Sequence, residues 1–136
     1  MIGKTLDEKI TVSPQIQPHD VAALKEAGVE LIINNRPDGE EVGQPTSDEI
    51  AAVAAEHGID YLHIPVVRGP SHADVEKMGD ALAAHAGKQI HAYCRSGTRS
   101  TLTWAIAQAE AGCDREHIEQ CVRGAGYDPA PIQHLL

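Results

Sequence analysis

"HAYCRSGTRSTLTWA", His91 to Ala105, sets one cysteine at the end of an apolar run, then small and cationic residues, then a helical pattern. The preceding "KQIHAY" reads as a strand and "STLTWAIAQA" as a helix, so Cys94 falls at a strand's carboxyl end. Open α/β sheets bind ligands at such ends, where loops lead into helices. Gly97 lets the loop curl tightly, so that successive N–H groups can converge on one point. The helix adds the partial positive charge of its N-terminus. With Arg99 folded back over the loop, these donors would hold an anion and also favour a thiolate. Ser100 is placed to donate to the sulfur as it leaves. No carboxylate interrupts the stretch from His91 to Gln108, so Arg95 and Arg99 make a positive patch. The expectation is an anion cradle with a nucleophile at its base. Cys94, Arg99 and Ser100 are the catalytic candidates, and Arg95, Ser96, Gly97 and Thr98 form the anion-binding loop. The plain alternatives are a cysteine packed as a small hydrophobe and a turn that only connects.

Outward from this loop, helical and extended patterns alternate. "KITV" predicts the first strand, and "QPHDVAALKEAG" a helix entered at Pro18 and stopped at Gly28. "VELIIN" is a buried strand, and "NRPDGEEVGQP" a polar loop rich in turn residues. "TSDEIAAVAAEHG" opens with a capping box, Thr46 to Glu49, and ends at Gly58. "IDYLHIPVV" is strand-like, and "SHADVEKMGDALAAHAG" carries a helical apolar face at Val75, Met78 and Leu82. "DREHIEQCVRGAG" predicts a last helix, followed by a tail after Pro129. Strands separated by helices imply parallel neighbours covered by helices, hence an α/β fold with a small, mostly parallel central sheet.

Length and composition fit a single domain over residues 1–136, large enough to fold without disulfide staples. Without Phe and with one Trp, the core must be aliphatic; Trp104 sits on the buried side of its helix. No apolar run is long enough for a membrane span, and the first residues lack a signal-peptide layout. Three scattered cysteines suit a reducing compartment, so a cytoplasmic protein is expected. A net charge of −9 disfavours general nucleic-acid binding. The eight histidines form no His-x3-His pair, and the cysteines no Cys-x2-Cys, so no metal and no cofactor are expected. Cys113 and Cys121 read as packing residues, with resolution of an oxidised or sulfur-loaded Cys94 as a second role.

The order "ELIINNRPDGEE", "GIDYLHIPV", a helix, then "IHAYCRSGTRS" resembles the dual-specificity branch of the protein tyrosine phosphatase superfamily. More closely it resembles the bacterial phosphatase-like family found alone or fused to metallo-β-lactamase-like hydrolases. The resemblance runs from about Lys9 to Tyr127. It implies a phosphatase-like fold, with Cys94 as nucleophile, Arg99 as the oxyanion-binding arginine and Ser100 assisting departure of the thiolate. The substrate it implies is a small anion, a phosphate ester.

Three departures stand out. Four residues separate Cys94 from Arg99, one fewer than in a typical phosphatase, and Tyr93 replaces the usual His before the cysteine. The loop "IPVVRGPSHAD" offers no carboxylate before Asp74, where many phosphatases carry an acid. Asp38, Glu40 and Asp74 are the candidate substitutes, against a solvated acidic loop for the first two and a helix cap for Ser71 with Asp74. Arg36 either clamps substrate or pairs with those carboxylates; Arg68 either extends the positive pocket or is a surface arginine, and His72 is a candidate proton shuttle. The shorter loop also resembles that of rhodanese-like sulfurtransferases, which implies a Cys94 persulfide and a sulfane sulfur donor as substrate. A non-catalytic anion-binding module is the third alternative.

Overall fold

The structure is a computed structural model describing residues 3–136; the first two residues of the expected 1–136 unit lie outside that range. Five strands form one sheet: β1 (Lys4–Asp7), β2 (Ile10–Ser13), β3 (Val29–Asn34), β4 (Asp60–His63) and β5 (Gln89–Tyr93), in the order β1-β2-β5-β3-β4. β2, β5, β3 and β4 are mutually parallel, as expected for strands joined through helices. β1 differs. It pairs antiparallel with β2 across a tight turn and precedes "KITV", where the sequence pattern places the first strand. Its four residues expose Lys4 and Thr5 and bury only Leu6 deeply, so no apolar alternation announces it.

Helices cover both faces. α1 (Asp20–Glu26) and α2 (Ser47–Glu56) lie on one side, α3 (His72–Ala84), α4 (Thr98–Glu110) and α5 (Arg115–Gly124) on the other, and a 3-10 helix spans Ala130–Leu135. Side chains along β3 alternate from Leu31 on, Leu31 and Ile33 to the larger face and Ile32 to the smaller; Val29 also faces the smaller, because the strand's register shifts between it and Leu31. The expected ends hold. Of the Thr46–Glu49 capping box only one half forms, Thr46 accepting from the Glu49 amide; Ser71 and Asp74 form a reciprocal capping box, and Gly28 and Gly58 take positive φ.

α4 runs behind the central strand and is buried continuously from Ser100 to Ala107, with Trp104 at 1% exposure. It starts at Thr98 rather than Ser100, because Gly97 ends the loop in a left-handed turn at φ +92°. Arg99 and Ser100 therefore belong to the helix's first turn. No helix among the described residues is long and apolar enough to cross a membrane.

Candidate active site

Register places the site. Ser13, Tyr93 and Asn34 are directly paired at the carboxyl ends of β2, β5 and β3, and His63 of β4 is level with Asn34. The residues leaving those strands, Gln15, Cys94, Arg36 and Val66, are thereby delivered to one edge of the sheet. Cys94 leaves the central strand and is fully buried. The Gly97 N–H donates to its Sγ at 3.1 Å, which the left-handed turn makes possible. The amides of Arg95, Ser96, Arg99 and Ser100 have no acceptor among the described residues. They are the free donors expected of an anion cradle. Ser96 Oγ accepts from the Thr98 N–H and donates to Thr98 Oγ1, which stiffens the turn. Ser100 Oγ is buried with no partner.

Tyr127, which sequence patterning passes over, packs against this loop and donates from its hydroxyl to the Ser96 carbonyl at 2.9 Å. A methyl on Gly97 would collide with the Tyr127 hydroxyl and lie 2.9 Å from its Cζ. The glycine is thus required twice, for its φ and for the approach of this ring.

Arg99 is held end-on. Its NH1 donates to Glu40 Oε2 at 2.8 Å and to the Val66 carbonyl at 2.6 Å, and its NH2 donates to Glu40 Oε1 at 2.7 Å. A guanidinium has five N–H donors in a planar fork. The two left over, Nε–H and the second NH2 hydrogen, form the side-on edge, which meets no oxygen acceptor among the described residues; the Cys94 sulfur is the neighbouring group that also interacts with Arg99. The hydrogen bond to Glu40 first, and the nearby Cys94 sulfur further, hold Arg99 above its ordinary range. Arg36, 1% exposed, donates from Nε to Glu40 Oε1 at 2.9 Å and from NH2 to Glu41 Oε1 at 3.1 Å, while NH1 reaches Gln15 Oε1. Glu40 is therefore clamped between two cations. The Arg99 hydrogen bond, ahead of the opposing effect of burial, lowers its carboxyl from 4.5 to about 2.

All three candidate acids are engaged elsewhere. Glu40 carries no proton to give at neutral pH. Asp38 accepts from the Ser47 amide at the start of α2, and Asp74 closes the α3 capping box. Arg36 pairs with carboxylates rather than opening to a ligand. The Arg95 side chain is 65% exposed and approaches Glu41 at 3.9 Å, so this residue faces the cradle through its backbone. Arg68 and His72 are exposed and make no ion pair among the described residues.

The other cysteines are distant. Cys121 lies near Asp7, which is level with Ile90 at the start of β5 but separated from it by β2, so that about 13 Å of strand at about 3.3 Å per residue, besides the sideways step, lie between it and Cys94. Cys113 is exposed beyond the far end of α4, about 20 Å along that helix. Neither is placed to resolve Cys94. A hollow of about 490 Å³ lined by Leu62, Ile64, Ala81 and Ala84 lies against α3, away from this chemistry.

Residues 3–111 match the family model "Beta-lactamase hydrolase-like protein, phosphatase-like domain". A beta-lactamase hydrolase-like protein of Agrobacterium fabrum is 34% identical over 126 residues, 90% of this chain but only 29% of that protein. The chain thus spans less than a third of such relatives. The crystal structure of a candidate phosphatase from Neisseria meningitidis superposes with a TM-score of 0.82 at 32% identity, covering 98% of this chain and 95% of that one. Tk-PTP in its active form, at 19% identity, shares the fold alone, with a TM-score of 0.74 over 96% of this chain and 90% of its own.

Proposed function

The chain belongs to the beta-lactamase hydrolase-like protein phosphatase-like domain family, and from that premise we propose that it acts as one domain hydrolysing a small phosphate monoester through Cys94. The observation that carries this is the pairing of a sulfur held by the Gly97 N–H with the free side-on edge of Arg99. Cys94 attacks phosphorus as its thiolate, and the ester P–O bond breaks. The leaving oxygen takes its proton from water, since no carboxylic acid is at hand. The Arg99 edge and the amides of Arg95, Ser96 and Arg99 bind the phosphoryl oxygens, where charge builds in the transition state. Water then attacks the cysteinyl phosphate, the P–S bond breaks, and inorganic phosphate departs. Ser100 Oγ, buried without a partner, donates to the returning thiolate. Glu40 is a positioning residue: it fixes the end-on edge of Arg99 so that the other edge stays turned toward the sulfur.

Without a proton donor, turnover depends on how readily the ester oxygen leaves. Aryl phosphates are the substrates of choice, and the rate falls steeply as the leaving alcohol becomes more basic.

Sulfur transfer is the second reading, favoured by the four-residue loop, the fully buried sulfur and the engagement of every candidate acid. There the Cys94 thiolate attacks the outer sulfur of thiosulfate, the S–S bond breaks and sulfite leaves. An acceptor thiolate then takes that sulfur from the Cys94 persulfide. An aryl-phosphate assay beside intact mass after thiosulfate exposure, each with Cys94→Ser as control, separates the two. Cys94-dependent phosphate release, inhibited by vanadate and without a sulfur adduct, supports hydrolysis. A one-sulfur adduct with background phosphate release overturns it in favour of sulfur transfer. Vanadate binding without either turnover leaves an anion-binding module.

A further inference from the structure

We infer that Asp7, His117 and Cys121 form a binding site for a thiophilic divalent cation, of which zinc is the physiological choice. The three residues come from the end of β1 and one face of α5, and their ligand atoms all lie within 4.8 Å of one another. His117 and Cys121, four apart on a helix, project side by side, with Cys121 Sγ 3.5 Å from His117 Nε2. Asp7 Oδ2 stands 3.7 Å from the same nitrogen.

That convergence on one nitrogen decides the reading. A hydrogen-bonded Cys–His–Asp relay uses both imidazole nitrogens, one for the thiol and one for the carboxylate. Here the carboxylate and the sulfur approach the same Nε2, which carries at most one proton and can serve only one of them. An ion at the common centre satisfies all three. Zinc binds nitrogen and oxygen at about 2.0–2.2 Å and sulfur at about 2.3 Å, so around a tetrahedral ion a nitrogen–oxygen pair stands about 3.3–3.5 Å apart and a pair with sulfur about 3.5–3.7 Å. The nitrogen–sulfur distance of 3.5 Å already matches, while the nitrogen–oxygen distance of 3.7 Å and the 4.8 Å bound on the whole set contract toward the ion on binding.

The surroundings hold the ligands in place. Asp7 Oδ1 accepts from the Glu8 amide at 2.8 Å, which leaves Oδ2 facing His117. β1 shifts register between Thr5 and Asp7, so the edge strand bends at this residue. α5 is anchored by Ile118 and Val122, both fully buried, and capped by Asp114. The His117 and Asp7 side chains are 55% and 34% exposed, which leaves one side open for water as a fourth ligand. A thiolate and an imidazole select zinc, cobalt or copper over magnesium and calcium. The ion would tie the edge strand to α5. A search of the sequence for His-x3-His or Cys-x2-Cys passes over a His-x3-Cys completed by a residue 110 positions upstream.

Titration of the full chain with cobalt(II), followed by its thiolate charge-transfer absorption and then by displacement with zinc, tests the site. One cobalt per chain, with tetrahedral d–d intensity and a thiolate band, is expected for the native protein and for Cys94→Ser and Cys113→Ser. Cys121→Ser should abolish the band, and Asp7→Asn and His117→Ala should each weaken zinc binding at least tenfold. Thermal melts in chelator show that each variant is folded. No stoichiometric binding by the native chain, or a band undiminished in Cys121→Ser, overturns the assignment.

Discussion

Replacing Glu40 with glutamine tests whether this carboxylate positions Arg99 or competes with the substrate for it. The carboxylate accepts two hydrogen bonds from Arg99, at 2.8 and 2.7 Å, and one from Arg36 at 2.9 Å. A glutamine keeps one carbonyl oxygen, so it holds one Arg99 N–H and turns an amide donor toward the other. The fall of the Glu40 carboxyl from 4.5 to about 2 corresponds to about 3 kcal/mol favouring the charged form. The side chain is 24% exposed at a wet rim, and screening there reduces its worth to stability to about 1–2 kcal/mol. Because the folded value is depressed, this stability is present above about pH 4.5 and is lost as pH falls toward 2. Glu40→Gln should therefore lower stability at pH 7 by about 1–2 kcal/mol and remove that acid limb. Loss of the end-on grip lets the guanidinium swing. A misalignment of this kind costs about 10–100-fold in kcat/KM. Glu40→Asp keeps the charge but is one methylene short, and should fall between. Steady-state aryl-phosphate kinetics beside urea titrations read both effects. A folded Glu40→Gln with unchanged or raised kcat/KM would refute the positioning role and show the carboxylate to be a competitor for the anion seat.

Gly97→Ala forces a side chain into a left-handed conformation and against Tyr127; it should cost about 1–3 kcal/mol in a urea titration and depress turnover through the lost Sγ contact. Stability preserved in that variant would contradict the tight approach of the ring. His91, buried between Thr11 Oγ1 and Ser13 Oγ, is lowered by burial from 6.5 to about 4. The unfolded chain takes up the proton first, so stability should drop by up to about 3 kcal/mol as pH falls from 6.5 to 4; a flat urea midpoint across that window would sink this account. Asp74→Asn breaks the capping box and should cost about 1 kcal/mol while leaving kcat on an aryl phosphate unchanged. A large fall in kcat with loss of the alkaline limb of its pH profile would instead make Asp74 the acid.

What was legible in the sequence was local. Cys94 to Ser100 are contiguous, and a strand end, a glycine and a helix start suffice to place them. Helix limits followed from Gly28 and Gly58 and from the caps at Thr46 and Ser71, because capping chemistry lies within four residues. What joins distant segments was not legible. Glu40 meets Arg99 across 59 residues, and Tyr127 meets Ser96 across 31. The first depends on strand register, which pairs Asn34 with Tyr93, and the second on how the segment after α5 packs back against the loop; no local pattern encodes either. Among the carboxylates of "RPDGEE", the sequence could not separate an acid from an arginine clamp; only the two guanidinium contacts of Glu40 do so. β1 escaped because a four-residue edge strand with one deeply buried side chain has no period to detect.

The central claim is that Cys94 carries the phosphoryl group. Rapid acid quench of the protein during turnover of an aryl phosphate, followed by intact mass and peptide mapping, tests it most directly. The account predicts a transient adduct with the mass of one phosphoryl group on the Cys94 peptide, absent in Cys94→Ala and decaying once substrate is spent. Sustained phosphate release in Cys94→Ala, or turnover by the native chain with the phosphoryl group on another residue, would contradict it.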